Sequence, residues 1–253
     1  MTGGGVTGGA VTESAAFVPD PVSGRIFATS RLVRMTDVTP SGRLRLDAVA
    51  RYLQEAAEDD VTDSGWDEPY DWLLRRSVVT IAGFPAHRER VTVRTFCSGT
   101  GPRWAERTTT VSGPGGDLIQ ARAIWVAVAS QTGAPAPLSR EFLAVYGESA
   151  RGRRVTARLY HDGPDPALAG RPWPVRAADL DPAGHVNNTV HWAAAEDALA
   201  GVGWLPSAAE IEYAQPILPG SEPTLVVGEY LPSGLDVWLM AGRDRLVSVR
   251  LSA

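Results

Sequence analysis

The sequence predicts an α+β fold in which two tandem copies of one unit each place a single helix against an antiparallel sheet. Two observations predict this fold. Residues 33–56 and 175–198 align without a gap, and six of the 24 aligned positions are identical. Each copy is then followed by several short runs with strand character. Because both the motif and the order of elements repeat, duplication explains the pattern better than chance similarity between two turns.

The first copy predicts one helix followed by four strands. Apolar residues between Leu46 and Ala57 recur at helical spacing, which predicts an amphipathic helix over residues 46–60. Turn signals such as GTGP and GPGG separate the later runs that have strand character. These runs predict strands at 77–83, 90–96, 104–111 and 118–128.

The second copy predicts the same order of elements, with an Ala-rich helix at about residues 188–200. Its strands are predicted at 210–214, 224–230, 236–242 and 245–253. A strand and a turn are expected ahead of the helix in each half. An apolar helix that lies across the concave face of a curved sheet buries both surfaces. That arrangement is a hot-dog fold, so the chain is predicted to be a tandem, or double, hot-dog protein.

These elements divide the chain into four segments. Residues 1–24 are rich in Gly, Thr, Ala and Pro, which predicts a disordered N-terminal tail. Residues 25–146 are predicted to form the N-terminal hot-dog domain, and residues 171–253 the C-terminal one. Residues 147–170 are predicted to be an irregular linker between the two domains.

The two copies share their turn residues but differ in the residues that carry chemistry. Asp, Pro and Gly recur in register, at positions 37, 40 and 42 and again at 179, 182 and 184. Because Pro fixes φ and Gly permits a sharp turn, the scaffold explains these pairs. The second copy alone has an acid, an imidazole and two adjacent carboxamides. Asp181 stands in place of Thr39, His185 in place of Arg43, and Asn187-Asn188 in place of Arg45-Leu46.

We therefore predict one active site, in the second half, around Asp181 and His185. Asp181 is expected to activate water or to attack a carbonyl carbon, and His185 to exchange a proton or hold the carboxylate. Backbone N–H groups at the start of the predicted helix are expected to bind the developing oxyanion. Each residue also has a structural explanation, such as an Asx-turn for Asp181, but the restriction of the cluster to one copy favours function.

The segment ADLDPAGHVNNTVHW (178–192) resembles the D-x-D-x-x-x-H-V-N-N-x-x-Y/W signature of the acyl-ACP thioesterases. The first half, with SRLVRMTDVTPSGRLRLDAVARYLQEAAED, CSGTGPRW and LSREFLAVYG, resembles the N-terminal half of the same family. The resemblance covers about residues 25–253 and points to a bacterial member. It implies hydrolysis of fatty acyl chains from acyl carrier protein in fatty acid biosynthesis, with no metal and no organic cofactor.

Two motif comparisons assign roles within this resemblance. Plant members of the family carry Asp, Asn and His in a D-x-N-x-H run and a carboxylate on a later strand. Asp181 and His185 match that pattern, whereas Ala183 and Pro216 stand at the other two positions, with Glu210 and Glu212 upstream. DLDPAG also resembles the D-x-D-P-x-G element of hot-dog acyl-CoA thioesterases. That resemblance implies Asp181 as nucleophile or general base, N–H groups near Gly184 as donors to the carbonyl, and Asn187 as a water-positioning residue.

Such an enzyme needs an apolar tunnel for the acyl chain and a basic patch for acyl carrier protein or for the phosphates of CoA. The helix–sheet interface of the first half can supply the tunnel, from Val49, Leu53, Val79, Ile81, Phe96 and Trp125, although most of these residues are expected simply to fill the core. Candidate docking residues are Arg75, Arg76, Arg151, Arg153 and Arg154. Glu196 and Asp197 are candidates either for a structural role or for the end of the acyl pocket.

Composition narrows the remaining choices. The net charge of −5 argues against a nucleic-acid partner, and the chain has no run of about 18 apolar residues that would predict a membrane span. The single cysteine, Cys97, cannot form a disulfide within the chain, which favours a cytoplasmic protein. Cys97 is expected to be a half-buried strand residue. Pairing of two chains into a homodimer is left open.

Two other functions are compatible with the sequence. One is a hot-dog hydratase or dehydratase that acts on acyl thioesters. Its usual D-x-N-P-x-H run separates Asp and His by five positions, whereas Asp181 and His185 are four apart. The other is a non-catalytic acyl-carrier or lipid-binding protein, which the substitutions at Ala183 and Pro216 support.

Overall fold

The computed structural model describes residues 17–66, 70–230 and 233–253, which form one antiparallel sheet and three α-helices. The first half contains β1 (Phe27–Leu32), α1 (Leu46–Ser64), β2 (Asp71–Ile81), β3 (Arg90–Thr100), β4 (Trp104–Gly113), β5 (Gly116–Val128) and α2 (Arg140–Tyr146). The second half contains β6 (Gly170–Pro172), α3 (His191–Leu199), β7 (Ala208–Tyr213), β8 (Thr224–Tyr230), β9 (Gly234–Ala241) and β10 (Asp244–Ser252).

The sheet has the same strand order in both halves. Its ten strands run β1-β3-β4-β5-β2-β7-β10-β9-β8-β6. Read inward from either edge, each half places its first strand outermost, then its third, fourth, fifth and second. The halves meet where β2 pairs with β7, in a register that runs from Arg76 opposite Glu212 to Thr80 opposite Ala208. This pseudo-two-fold arrangement is a double hot-dog fold and confirms the predicted fold class.

The two main helices pack on one face of this sheet in a single hydrophobic core. α1 contacts α3, and both contribute to the same buried cluster. Ala194 and Ala195 on α3 are buried, and small side chains of this kind let a helix approach its neighbours closely. Ile211 on β7 is fully buried in the same hydrophobic cluster. Truncation of such a residue to Ala costs about 2–5 kcal/mol, so this shared core joins the two halves firmly.

The backbone ahead of each helix repeats bond for bond. A 3₁₀ turn at Met35–Asp37 is matched by one at Ala177–Asp179. Asp37 accepts the backbone N–H of Arg34 at 2.8 Å, and Asp179 accepts that of Arg176 at 2.8 Å. The glycines at positions 42 and 184 have φ of 86° and 78°, in the left-handed region that glycine tolerates best. The residues that the two copies share are therefore scaffold residues.

The helices differ in length from the prediction. α1 extends to Ser64 and is closed by Gly65 in the left-handed conformation. α3 begins at His191 rather than at residue 188, because residues 187–190 form turns of their own. α2 is not anticipated by the sequence pattern. Its start is marked by Ser139, whose side chain accepts the N–H of Phe142 at 3.0 Å.

The start of the described chain is held against the sheet. Residues 1–16 of the predicted tail lie outside the described residues. Residues 17–24, assigned to the same tail, are described, and the backbone of Val18 exchanges two hydrogen bonds with the side chain of Gln120, at 2.5 and 2.9 Å. The predicted boundary at residue 24 does not anticipate these contacts.

The segment at residues 147–170 crosses the outer face of the sheet, the face opposite the helices. It is largely without regular structure, but side chains of both halves hold it. Trp104 donates its indole N–H to the carbonyl of Val155, and Trp238 donates to that of Asp162, each at 2.9 Å. The helix-bearing face is therefore left free for a site.

Candidate active site

The predicted catalytic residues lie on one tight turn. Gly184 donates its N–H to the carbonyl of Asp181 at 2.9 Å, and Asp181 donates its own N–H to the carbonyl of His185 at 2.9 Å. The carboxylate oxygen Oδ1 of Asp181 accepts the N–H groups of Ala183 at 3.0 Å and His185 at 3.3 Å. This Asx-turn fixes the orientation of the carboxylate. Its other oxygen, Oδ2, makes no hydrogen bond to the described residues.

The turn lies away from the start of α3, which corrects the expected geometry. Asp181 precedes His191, the first residue of the helix, by ten positions, and His185 precedes it by six. The N–H of Gly184 is already engaged inside the turn. The predicted supply of free N–H groups from a helix tip beside Gly184 is therefore not present at that residue.

The other two predicted residues lie beside the turn with different surroundings. The ring of His185 is half-buried and makes no hydrogen bond within the described part of the chain. Asn187 uses its side-chain oxygen to accept both the N–H and the hydroxyl of Thr189, at 2.9 and 2.8 Å. Asn187 is thereby committed to the local turn. Of the four predicted site residues, Asp181 alone borders the large cavity described next.

A cavity of about 450 Å³ lies between α1 and the sheet of the first half. The second half contributes Asp181 and Asn188 to its wall. The side from α1 consists of residues that recur at i, i+3, i+4, i+7 and i+8 and so share one helix face. They are Gln54, Ala57, Glu58, Val61 and Thr62, and the aromatic wall consists of Trp66, Trp72, Trp125, Phe142 and Tyr146. One acidic residue from the second half thus borders an aromatic cavity in the first half.

This cavity only partly follows the predicted tunnel. Trp125 lines it, and Leu53 lines a smaller adjoining space of about 30 Å³. The other four predicted residues are simply buried, namely Val49, Val79, Ile81 and Phe96. The reason is position along α1, because the cavity follows the second half of the helix, whereas the beginning of the helix is packed tightly into the shared core.

Buried charges in the cavity wall are paired. Arg107 donates to Asp60 at 2.6 Å, and Arg25 donates to the other oxygen of the same carboxylate at 2.6 Å. Cys97, across β3 and β4 from Arg107, is also in the wall. Burial raises the pKa of its thiol to about 11, so the thiol stays protonated at neutral pH and is a poor nucleophile.

The backbone at Asn188 is held by two side chains that sequence reasoning missed. Tyr213 donates its hydroxyl to the carbonyl of Asn188 at 3.1 Å, and the Nδ1 atom of His191 lies 3.3 Å from the same oxygen. Burial lowers the pKa of His191 to about 4, so its ring is neutral at pH 7. Because the accepting atom is a carbonyl, Nδ1 carries the proton. These contacts fix the orientation of the peptide that borders the cavity.

The equivalent place in the first copy is closed by an ion pair. Arg43, which aligns with His185, donates to both carboxylate oxygens of Glu196, at 2.7 and 3.1 Å. Glu196 also accepts the N–H of Leu46 at 2.6 Å. Asp197 is exposed and lies 3.4 Å from Arg171. Neither acid ends the acyl pocket, which corrects that expectation.

Among the residues that the structure describes, one group of His and Glu side chains lies close enough together to hold a metal ion. It consists of His161, Glu210 and Glu212, on the outer face of the sheet. Glu212 accepts the N–H groups of Tyr160 and His161 at 2.5 and 3.0 Å and pairs with Arg245 at 3.2 Å. The group therefore fastens the linker to β7. It lies on the opposite face from Asp181, so neither Glu can replace a missing catalytic carboxylate.

The arginines of the predicted basic patch differ in how far they are engaged within the protein. Arg75 donates to the carbonyl of Tyr213 at 2.8 Å, and Arg76 is buried with Glu210 3.6 Å away. Arg153 pairs with Glu106. Arg75 and Arg76 thus help to join β2 to β7, whereas Arg151 and Arg154 are exposed. Docking at any of these residues stays a prediction.

No helix within the described ranges has the length and apolar character needed to cross a membrane. In sequence, residues 24–146 match the family model of the acyl-ACP thioesterase N-terminal domain. The chain is also 30% identical over 213 residues to an uncharacterized protein of Mycobacterium tuberculosis, present in two strains, with 83% of this chain and 85% of that protein covered.

Solved structures give the same picture for the fold. The 12:0-ACP thioesterase of Umbellularia californica matches with a TM-score of 0.78 and 18% identity, over 91% of this chain and 98% of that chain. An acyl-ACP thioesterase of Bacteroides thetaiotaomicron matches with a TM-score of 0.77 and 17% identity, over 90% and 97% of the two chains.

Fold, cavity and sequence together define the class as a thioester hydrolase with a double hot-dog fold. The chain belongs to the acyl-ACP thioesterase family. This confirms the predicted family, while its bacterial origin stays a prediction.

Proposed function

We propose that the protein hydrolyses fatty acyl thioesters of acyl carrier protein or CoA and releases the free fatty acid and the carrier thiol. The observation that carries this proposal is the Asp181 carboxylate in the wall of an aromatic cavity of about 450 Å³. Cavities of this size bury most of a small apolar ligand, and a single polar group in the wall can then act on it. A cytoplasmic setting fits such carriers and the single thiol at Cys97.

In the proposed reaction, Asp181 acts as general base. It takes a proton from water, whose oxygen bonds to the acyl carbon, and the carbon–sulfur bond then breaks. The proton returns from the carboxyl group to the thiolate. The N–H of Asn188 is the candidate donor to the developing oxyanion, because Asn188 borders the cavity and Tyr213 and His191 hold its own carbonyl in place.

This mechanism needs fewer side chains than the plant pattern. Ala183 and Pro216 stand where the plant members have an Asn and a carboxylate, and both are exposed. Ala183 still contributes through its N–H, which holds Asp181 in place. His185 is half-buried next to the turn and is proposed to assist proton transfer rather than to attack.

Purified protein incubated with saturated acyl-ACP and acyl-CoA panels of increasing chain length tests the proposal through thiol release. Asp181→Asn keeps the acceptor of the Asx-turn but removes the base, and we expect turnover to fall by about 10²–10⁴-fold. Thr39→Asn, at the aligned position of the first copy, is the matched control and should retain activity.

Other outcomes identify the alternatives. Thiol release by the wild type no greater than by Asp181→Asn, together with measurable acyl binding, would indicate a non-catalytic acyl-binding protein. Addition of water to an enoyl thioester without thiol release would indicate a hydratase.

A further inference from the structure

Gln54 belongs to the first half but borders the same space as the second-half residues of the site. It lies in the middle of α1 and lines both the large cavity and the small adjoining one. Asn188 also lines both, and Asp181 lines the large one. Gln54 and the proposed base therefore lie in the wall of the same cavity, with Gln54 held on a helix.

The orientation of the Gln54 amide is fixed by its neighbour. Its Nε2 donates to the carboxylate of Glu58 at 3.0 Å, one helical turn further on. The other amide atom, Oε1, is buried and has no hydrogen-bond partner in the described part of the chain. A buried acceptor without a partner is destabilising, so its retention calls for a reason.

The pseudo-symmetric position on α3, which faces the turn of the first copy, shows what an acceptor does when it is satisfied. Glu196 aligns with Gln54 and accepts the N–H of Leu46 at 2.6 Å together with the guanidinium of Arg43. The residue that aligns with Leu46 is Asn188. At the second turn, Gln54 Oε1 makes neither contact among the described residues, and its residue borders the cavity that Asp181 also lines.

We propose that Gln54 Oε1 accepts a hydrogen bond from the water molecule that attacks the thioester and holds that water beside Asp181. This inference rests on the proposed hydrolysis. One water proton points to Gln54 and the other passes to Asp181, while the water oxygen bonds to the acyl carbon. The carbon–sulfur bond breaks, and the thiolate takes the proton from Asp181. Gln54, from the first half, thereby positions the attacking water, a contact that the side chain of Ala183 cannot provide.

The test compares variants that remove this acceptor with one that alters its counterpart. Gln54→Met keeps the side-chain length without the acceptor, and Gln54→Ala is a second variant in case the first folds poorly. With the saturated acyl-CoA that the wild type hydrolyses best, we expect kcat to fall by about tenfold to a hundredfold and KM to change little. Added hydroxylamine should compete better with water, so the ratio of hydroxamate to free acid should rise.

Glu196→Gln is the matched control at the aligned position. It should lower the melting temperature, because it weakens the pair with Arg43, and leave kcat and the product ratio unchanged. Gln54 variants with wild-type kcat and product ratio would overturn this inference and leave the proposed function standing. Altered stability alone would do the same. A wild type that releases no thiol from any acyl thioester would overturn the proposed function and the role of Gln54 together.

Discussion

The two turn-and-helix units, residues 33–56 and 175–198, share the backbone of their turns. The space beside the first turn is closed, whereas the space beside the second is open. Both have the same 3₁₀ turn, the same capping carboxylate and the same left-handed glycine. In the first, the space between the turn and the facing helix is closed by the Arg43–Glu196 pair. In the second, the space opens into a cavity bordered by Asp181. The comparison teaches that duplicated geometry is kept by a few scaffold residues, while side chains decide whether a site is open.

The helices themselves differ in a way that explains where the cavity lies. α1 has 19 residues and α3 has nine. The cavity-lining face of α1 extends from Gln54 to Thr62, roughly 12 Å along the axis, and most of it has no helical counterpart in the second half. Ala57 on that face aligns with Leu199, which is buried at the end of α3. A longer helix with a smaller side chain thus leaves room in the first half.

The largest effect is expected from removing the Arg43–Glu196 ion pair that closes the space beside the first turn. Glu196→Ala should lower the free energy of unfolding by about 3 kcal/mol, because it leaves the guanidinium of Arg43 and the N–H of Leu46 without a partner in a largely buried place. Urea unfolding measures this. The neighbouring variant Asp197→Ala breaks an exposed pair and should cost less than about 1 kcal/mol. An equal loss of unfolding free energy in the two variants would contradict the structural role of the Arg43–Glu196 pair.

The next effect concerns His191, whose place in the first copy is taken by Val49. Burial lowers the pKa of His191 to about 4, below the usual 6.5, so protonation favours the unfolded chain. Its contribution is fully present above about pH 6.5 and is lost as the pH falls toward 4. Between pH 7 and pH 5 this amounts to about 2 kcal/mol.

His191→Val installs the residue of the first copy and should reduce the stability lost between those two pH values by about that amount. Urea unfolding of both proteins at both pH values measures the difference, and all other titrating groups cancel between them. The same loss in wild type and variant would show that the ring is protonated in the folded protein.

The smallest effect is expected from replacing Ala57, in the cavity wall, with the leucine that stands at the aligned position 199. Ala57→Leu should lower kcat/KM for the longest acyl chain that the wild type accepts by about tenfold, and should spare short chains. Turnover of the acyl-CoA panel gives the ratio. Leu205→Ala, an exposed residue of the second half, serves as the control and should leave the chain-length profile unchanged. A uniform loss at all lengths would mean that the acyl chain lies elsewhere.

Much of the fold could be predicted because the repeat presents the helix and the strands that follow it twice, so that each half supports the prediction for the other. All eight strands predicted after the two helices overlap observed strands, since each is an apolar run ended by turn residues. The start of α3 was missed because the sequence gives no cap there, and Val190 caps the helix without a side-chain bond. α2 was missed because seven residues are too few for a periodic signal.

The site was harder to predict because it joins residues that are distant in sequence. Asp181, which borders the cavity, was singled out by its contrast with Thr39. Gln54 also borders the cavity, and the same alignment places it opposite Glu196, so the replacement of an acid by an amide could have drawn attention to it. The aromatic wall gave no such signal, because Trp66, Phe142 and Tyr146 reach the cavity only through the tertiary fold.

The two halves of one polypeptide are joined where β2 pairs with β7, and both halves contribute residues to the wall of the cavity. In an enzyme assembled from two separate subunits, one subunit would supply the catalytic acid and the other the binding cavity. Dilution would dissociate the subunits and so separate the two. Here the covalent connection keeps them at a fixed, high local concentration. Specific activity should accordingly be independent of enzyme concentration, down to the lowest level that an assay can detect.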